Sequence, residues 1–197
     1  MKLHMKYKTK RRMTIAIALA ILASLYAFKN FSYFIRASSA VALLLVFYLA
    51  DHIFDLEFKK KHYVFIFLVA VSSFLLSPLY YIYSNYDKVQ HFIQPMFFAS
   101  IVFHMMKRLK LETKWKLVFT FFVIAAGVGI FEIGEYLLDY FFGLKFQGVY
   151  IRDISGVEKL NLLMDRIDDT MVDMVLGMIG SAMYCVCTYF VIRAKTK

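Results

Sequence analysis

The sequence has few of the residues that hold small disulfide-rich or zinc-stapled domains together. It contains two cysteines, two prolines and eight glycines among 197 residues. Cys185 and Cys187 lie two positions apart in an apolar segment, so on a helix their side chains point in different directions and a mutual disulfide is geometrically poor. Two thiols are also too few for a zinc site. We therefore interpret both cysteines as small packing residues.

Charged residues are scarce as well, and this scarcity indicates the fold class. They make up 19% of the chain, against about 25% in a soluble domain, and they stand in blocks between apolar runs. Those runs are long enough to cross a bilayer, for which roughly 20 residues are needed. We predict an all-α protein, a polytopic helical bundle in one membrane domain (1–197). The six predicted spans are residues 13–28, 31–50, 63–83, 92–106, 117–142 and 169–193. The fourth is short as an apolar run, so its helix is predicted to begin upstream, near Tyr86.

The basic residues predict the orientation of the chain. Of the 24 Lys and Arg residues, 17 lie in the N-terminal tail (1–12), after spans two and four, and at the C-terminus. Cytoplasmic segments carry the excess of Lys and Arg, so both termini are predicted to be cytoplasmic and residues 143–163 to form an outer loop. These charges flank apolar spans, which favours membrane lipids as partners and excludes nucleic acid. We expect a multi-pass protein of the inner cell membrane, with an uncleaved first span favoured over a signal peptide.

Three segments place ionisable side chains where lipid is expected. Spacings of three and four residues put the members of each segment on one face of a helix. At a rise of about 1.5 Å per residue, Glu132 lies about 15 Å below the outer end of its span, near the midplane. The predicted orientation brings all three segments to similar depth on the outer side. The candidate metal-binding residues are Asp87, His91, Glu132, Glu135, Asp169 and Asp173.

Carboxylates at this depth need neutralising, because an ionised Asp in the apolar core costs about 2.5–3.5 kcal/mol. They can hold protons, pair with Lys88, His91 or Arg166, or bind a cation. Carboxylates with one imidazole and no thiolate suit a hard divalent ion such as Mg²⁺, Ca²⁺ or Mn²⁺, with Zn²⁺ as an alternative. The pattern therefore favours a divalent metal ion as cofactor.

The glycines in these spans predict close helix packing, and the prolines predict kinks. Gly177 and Gly180 have the spacing of close helix packing, and the glycines of span five, from Gly127 to Gly134, are interpreted in the same way. Pro78 and Pro95 are expected to kink spans three and four.

Short motifs around the candidate residues resemble known membrane proteins. Asp87-Lys88-x-x-His91-Phe92 and the helix Asp173-Met-Val-Leu-Gly177-Met-Ile-Gly180 resemble motifs of VanZ-like proteins. Glu132-x-x-Glu135-Tyr136 and Asp169-Thr170-x-x-Asp173-Met174 are closer to the YjdF type of small inner-membrane protein. The resemblance covers roughly residues 87–181, and in the connecting loop it is confined to Gln147-Gly148. It implies a small integral membrane protein and no particular reaction, although VanZ-like proteins are associated with glycopeptide resistance.

Three functions are compatible with these residues. The first is an enzyme acting on a lipid or lipid-linked phosphate at the outer leaflet, in which a divalent ion polarises a phosphoryl oxygen. His91, Glu132 and Asp173 are then the candidate catalytic residues, with His91 or a carboxylate as general base. The second is a proton- or cation-coupled carrier, which the apolar cytoplasmic half disfavours. The third is a non-enzymatic envelope or accessory protein whose acids form structural pairs, and it is strongest for Asp139, Asp165 and Asp168, which could lie at the water interface.

The orientation can be tested with reporter fusions. Because basic residues are concentrated on one side, fusions at either terminus should report a cytoplasmic location, and a fusion at Lys145 should report the outer side. A cytoplasmic Lys145 would contradict both the orientation and the shared depth of the three acidic segments.

Overall fold

Six α-helices account for most of the residues that the computed structural model describes, namely 7–27, 31–143, 145–152 and 160–195. Each helix lies at one of the predicted spans. The fourth helix begins at Tyr86, as predicted from the number of residues needed to cross a bilayer. Two short strands form an antiparallel pair in the connection that we expected to be a loop. In chain order the elements are α1 (Lys8–Ala27), α2 (Phe31–Ile53), α3 (Lys60–Ala70), α4 (Tyr86–Met106), α5 (Thr113–Phe142), β1 (Val149–Arg152), β2 (Leu160–Met164) and α6 (Arg166–Lys195).

Three of the described helices, α2, α5 and α6, are long and apolar enough to cross a membrane. Helices α5 and α6 contain 30 residues each, which corresponds to a length of about 45 Å. The apolar core of a bilayer is about 30 Å thick, so both helices exceed it. Membrane crossing by α1, α3 and α4 stays a prediction, and so does the cytoplasmic location of the termini.

The third predicted span is not one continuous α-helix. After α3 ends at Ala70, the chain forms a π-helical turn, Val71–Leu75, and then a 3-10 helix, Ser77–Tyr81. Pro78 explains the change, because proline has no N–H for a helical hydrogen bond and its ring collides with the carbonyl group four residues earlier. The kink expected at Pro78 is therefore a change of helix type.

The chain divides into two compact units, Met1–Ser77 and Pro78–Lys197. The first unit contains α1, α2 and α3, and a fully buried carboxylate, Asp51 of α2, joins the three helices. Asp51 accepts hydrogen bonds of 2.6 Å from the ammonium of Lys10 in α1 and from the hydroxyl of Tyr63 in α3. The N-terminal helix thus supplies the cation that neutralises Asp51.

The second unit contains α4, α5 and α6, which pack against one another, together with the strand pair. Helix α5 ends where Gly143 adopts the left-handed conformation, with φ of 65°, and donates its N–H to the carbonyl of Asp139 at 3.0 Å. Glycine adopts this conformation at no steric cost because it lacks a Cβ atom. Gly143 therefore terminates the helix and starts the connection to β1.

Two glycines of α6 allow the helices of this unit to approach closely. A Cβ atom added to Gly180 would lie 2.1 Å from the carbonyl oxygen of Phe92 in α4, and one added to Gly177 would lie 2.8 Å from a methyl carbon of Val128 in α5. The close packing expected of these two glycines is present. The close packing expected of the α5 glycines is absent within this chain, because Cβ atoms added to Gly127, Gly129 or Gly134 would meet nothing within 4 Å.

Replacing Gly180 with alanine should destabilise the second unit. The added methyl group would overlap a backbone oxygen, which cannot rotate away, and overpacking of this kind typically costs about 1–3 kcal/mol. Gly127→Ala is the matched control, because its methyl group meets open space and alanine stabilises a helix interior by about 0.5–1 kcal/mol. Thermal unfolding in detergent, followed by circular dichroism, should show a lower midpoint for Gly180→Ala alone. Equal midpoints for the two variants would contradict the close contact.

Candidate functional site

A cluster of acidic and basic side chains lies at the centre of the second unit, where its three helices meet. Helix α4 contributes Asp87, Lys88 and His91 from its first two turns, because spacings of three and four residues place them on neighbouring faces. Helix α5 contributes Glu132, and α6 contributes Asp169 and Asp173 near its start. Glu132 and Asp173 are 3% and 1% exposed, so water covers almost none of their surface.

Lys88 is the cation at the centre of this cluster. Its ammonium lies 2.9 Å from both carboxylate oxygens of Asp173, forms a salt bridge with Asp169, and lies 3.4 Å from an oxygen of Asp87. Its side chain is only 13% exposed. Hydrogen bonds between charged groups are stronger than those between neutral groups, and the low polarity of a helical interior strengthens them further. Lys88 therefore links α4 to α6 at two positions one turn apart.

His91 lies between two carboxyl groups. Its Nε2 atom is 3.4 Å from Oδ1 of Asp87, one turn earlier on α4, and its Nδ1 atom is 3.5 Å from Oε1 of Glu132 on α5. The ring also contacts the ring of Phe131 edge-on, with centroids 5.9 Å apart. Pro95, four residues further along α4, has no N–H to bond the carbonyl of His91. Helix α4 continues through Pro95 to Met106.

Three of the predicted residues come close enough together to share one ion. One ligand atom from each of Asp87, His91 and Asp173 lies within 4.8 Å of the other two. Glu132 is adjacent, and its Oε1 atom is buried without a hydrogen bond to any described residue. A buried carboxylate oxygen without a hydrogen bond is unfavourable unless a proton or a cation completes its surroundings. The cluster therefore contains converging ligand atoms and an unsatisfied acceptor next to them.

The connection between α5 and α6 is tied to this cluster by hydrogen bonds. Asp139, at the end of α5, accepts the backbone N–H groups of Phe146 at 2.8 Å and of Gln147 at 3.0 Å. Gln147 then donates from its side chain to the hydroxyl of Thr170 at 2.9 Å. The backbone N–H of Gly148 donates to Oδ2 of Asp169 at 2.7 Å. Asp169 is consequently occupied on one oxygen by Lys88 and on the other by the connection.

The other predicted residues have different surroundings. Glu135 is partly buried and forms no ion pair with the described residues. Asp139 is 5% exposed and accepts two backbone N–H groups, so it is buried within the protein, and its position at the water interface stays a prediction. Asp165 and Asp168 are exposed at the start of α6, where Asp165 accepts the N–H groups of Ile167 and Asp168. Arg166, considered as a partner for the acids, is exposed.

Two features of the site were not predicted from the sequence. Lys88 was one of three possible partners for the acids, and nothing in the spacing singled it out as the central cation. Gln147 and Gly148 were noticed only as the part of the loop that fits the resemblance. Two signals in the sequence could have identified these residues. Lys88 directly follows the acidic residue at the start of its helix, and Gln147-Gly148 is the matching pair in an otherwise unmatched loop.

The fold and its buried polar cluster define a multi-pass integral membrane protein. The sequence matches the family model DUF2238, described as a predicted membrane protein, over residues 10–194, and the chain belongs to that family. No curated protein and no solved structure matches the chain.

Replacing Asp139 with asparagine should loosen the connection between α5 and α6. An amide offers one acceptor oxygen where the carboxylate offers two, so the N–H of Phe146 or Gln147 loses its partner, at a cost of about 1–3 kcal/mol. Hydrogen–deuterium exchange of these two amides should accelerate by about tenfold or more, since a factor of ten corresponds to about 1.4 kcal/mol. Asp168→Asn, an exposed change of the same chemistry, is the control. Unchanged exchange in Asp139→Asn would contradict the anchoring role.

Proposed function

We propose that the cluster in the second unit binds a divalent cation and that the protein acts on a lipid or lipid-linked phosphate at the outer leaflet of the inner cell membrane. The observation that carries this proposal is the convergence of Asp87, His91 and Asp173, whose ligand atoms lie within 4.8 Å of one another. Two carboxylates and an imidazole are a suitable ligand set for Mg²⁺, Mn²⁺, Ca²⁺ or Zn²⁺. A bound ion would neutralise the charge of a phosphate and polarise its P–O bonds.

Glu132 gives independent support for an ion at this place. Its Oε1 atom is buried, forms no hydrogen bond with the described residues and faces Nδ1 of His91 at 3.5 Å. A histidine that binds a metal through one nitrogen usually donates its other N–H to a carboxylate, which fixes the orientation of the ring. Glu132 fits this orienting role better than the role of direct ligand, because Nε2 is the nitrogen that faces Asp87.

The remaining candidates have distinct roles in this proposal. Asp169 holds Lys88 and the N–H of Gly148, so it anchors the surroundings of the ion and is not a ligand. Glu135 lies one turn from Glu132 towards the predicted outer end of α5, where it is available to a substrate or to water. The residues that carry the resemblance to VanZ-like and YjdF-type proteins include Asp87, His91 and Asp173, which supports a shared site in those proteins.

A second candidate function rests on the salt bridges of Lys88. In this alternative, the ammonium of Lys88 binds Asp169 and Asp173, and its only role is to hold α4 against α6. The protein would then be a non-enzymatic envelope or accessory protein with a structural acidic cluster. Polar pairs between membrane helices contribute on average about 0.6 kcal/mol each, which is enough to explain their presence without a ligand.

Titration of metal-free protein with divalent ions separates the two functions. Calorimetry on the full chain in detergent should detect one site for at least one of Mg²⁺, Mn²⁺, Ca²⁺ and Zn²⁺. Asp173→Asn removes a proposed ligand and should abolish binding, while Glu132→Gln should weaken it by about 10–100-fold, as expected for a residue that orients a ligand.

Asp168→Asn is the matched control for Asp173→Asn. It makes the same chemical change on the same helix at an exposed position, so its affinity should equal that of the unmodified protein. Absence of binding to all four ions in the unmodified chain would leave the structural function as the better explanation. The same conclusion would follow if Asp173→Asn and Asp168→Asn bound an ion equally well.

A further inference from the structure

We infer that Lys88 is an internal competitor for the divalent ion: its ammonium occupies Asp173 when the metal is absent, and the ion must displace it in order to bind. This inference rests on the proposed function and concerns the regulation of the same site. It assigns to Lys88 a role in setting metal affinity that neither the motif nor the ligand set suggests.

Lys88 already uses both oxygens of the Asp173 carboxylate, which is a proposed ligand of the ion. Both carboxylate oxygens of this residue lie 2.9 Å from the ammonium of Lys88. A divalent ion binds carboxylate oxygens at about 2.0–2.6 Å. Two cations that use the same two oxygens would lie within a few ångströms of each other, where their repulsion is strong in a site with little water. Lys88 and the ion therefore exclude each other at Asp173.

Lys88 has a second carboxylate partner, Asp169, which it keeps when it releases Asp173. Asp169 also binds the ammonium and is not among the three residues with converging ligand atoms. The N–H of Gly148 fixes Asp169 from its other oxygen, so this carboxylate stays in place when Asp173 changes partner. Lys88 can thus lose Asp173 without becoming an unpaired buried charge, which would be far more costly.

A cleft beside the cluster gives the displaced ammonium a place to move to. It is lined by Ser84 and Asn85 just before α4, by Lys88 itself, and by residues of the strand pair, namely Val149, Leu163 and Met164. The hydroxyl of Ser84 and the side-chain carbonyl of Asn85 are acceptors that an ammonium can use. Lysine has a flexible four-carbon stem, so this movement requires side-chain rotation only.

Lys88→Met tests the inference directly, because methionine is unbranched like lysine and fills similar space but carries no charge. Metal-free Lys88→Met should bind the divalent ion at least about tenfold more tightly than the unmodified chain, since the competitor is absent. Lys145→Met is the matched control: it removes one exposed lysine from the same unit and should leave the affinity unchanged. Equal or weaker binding by Lys88→Met, with normal binding by the unmodified chain, would overturn the inference and leave the proposed function intact.

The outcomes for the two proposals can be told apart. Binding by Lys88→Met but not by the unmodified chain would contradict both proposals for the natural protein, because the ion would then be unable to displace Lys88. Absence of binding in both proteins contradicts the proposed function and the inference together.

A measurement on the unmodified chain decides the question if Lys88→Met does not fold. An amine-acylating reagent should modify Lys88 several-fold faster when Mn²⁺, or whichever of the four ions binds, is present at saturation, because the ammonium has left Asp173. Peptide mass spectrometry gives the rate for Lys88 and, in the same sample, for Lys145, whose rate should not change. Equal or slower acylation of Lys88 with the ion bound would overturn the inference.

Discussion

The salt bridges between the ammonium of Lys88 and the carboxylates of Asp169 and Asp173 are the interaction on which the second unit depends. These charges lie on two helices that are mostly apolar, α4 and α6, and burying any one of them alone would cost several kcal/mol. Because they are buried together, each provides the partner that makes the burial of the others possible. The start of α4, the start of α6 and the connection before α6 are consequently fixed relative to one another.

This arrangement requires the helices to approach closely, because Asp has a short side chain. Gly177 lies one turn after Asp173 and packs against Val128, which lies one turn before Glu132. Gly180 packs against the backbone of Phe92, the residue next to His91. The positions without side chains therefore flank the positions with charged ones. Small residues reduce the distance between the helix axes, and the short carboxylates then reach the lysine and the imidazole.

Sequence reasoning predicted the helices and the membrane class, because apolar runs of spanning length and blocks of charge are local properties of the chain. It also predicted which acids share a face, since a helical spacing fixes that as well. It predicted a kink at Pro78, although not the change of helix type found there. It did not predict the strand pair or the central position of Lys88. These last two depend on which of several partners a group finds across the fold. The resemblance at Gln147-Gly148 identified the right residues, but only the structure gives them Thr170 and Asp169 as partners.

The two units neutralise their buried acids in different ways, and this difference supports a ligand for the second. Asp51 of the first unit is fully satisfied, because Lys10, Tyr63 and the N–H of Phe58 all donate to its two oxygens. A structural role needs nothing more. The cluster around Lys88 has four carboxyl groups for one lysine and one histidine, and it leaves an oxygen of Glu132 without a hydrogen bond to the described residues. This excess of negative charge has to be neutralised by protons or by a further cation, and a divalent ion is the neutralising group of the proposed function.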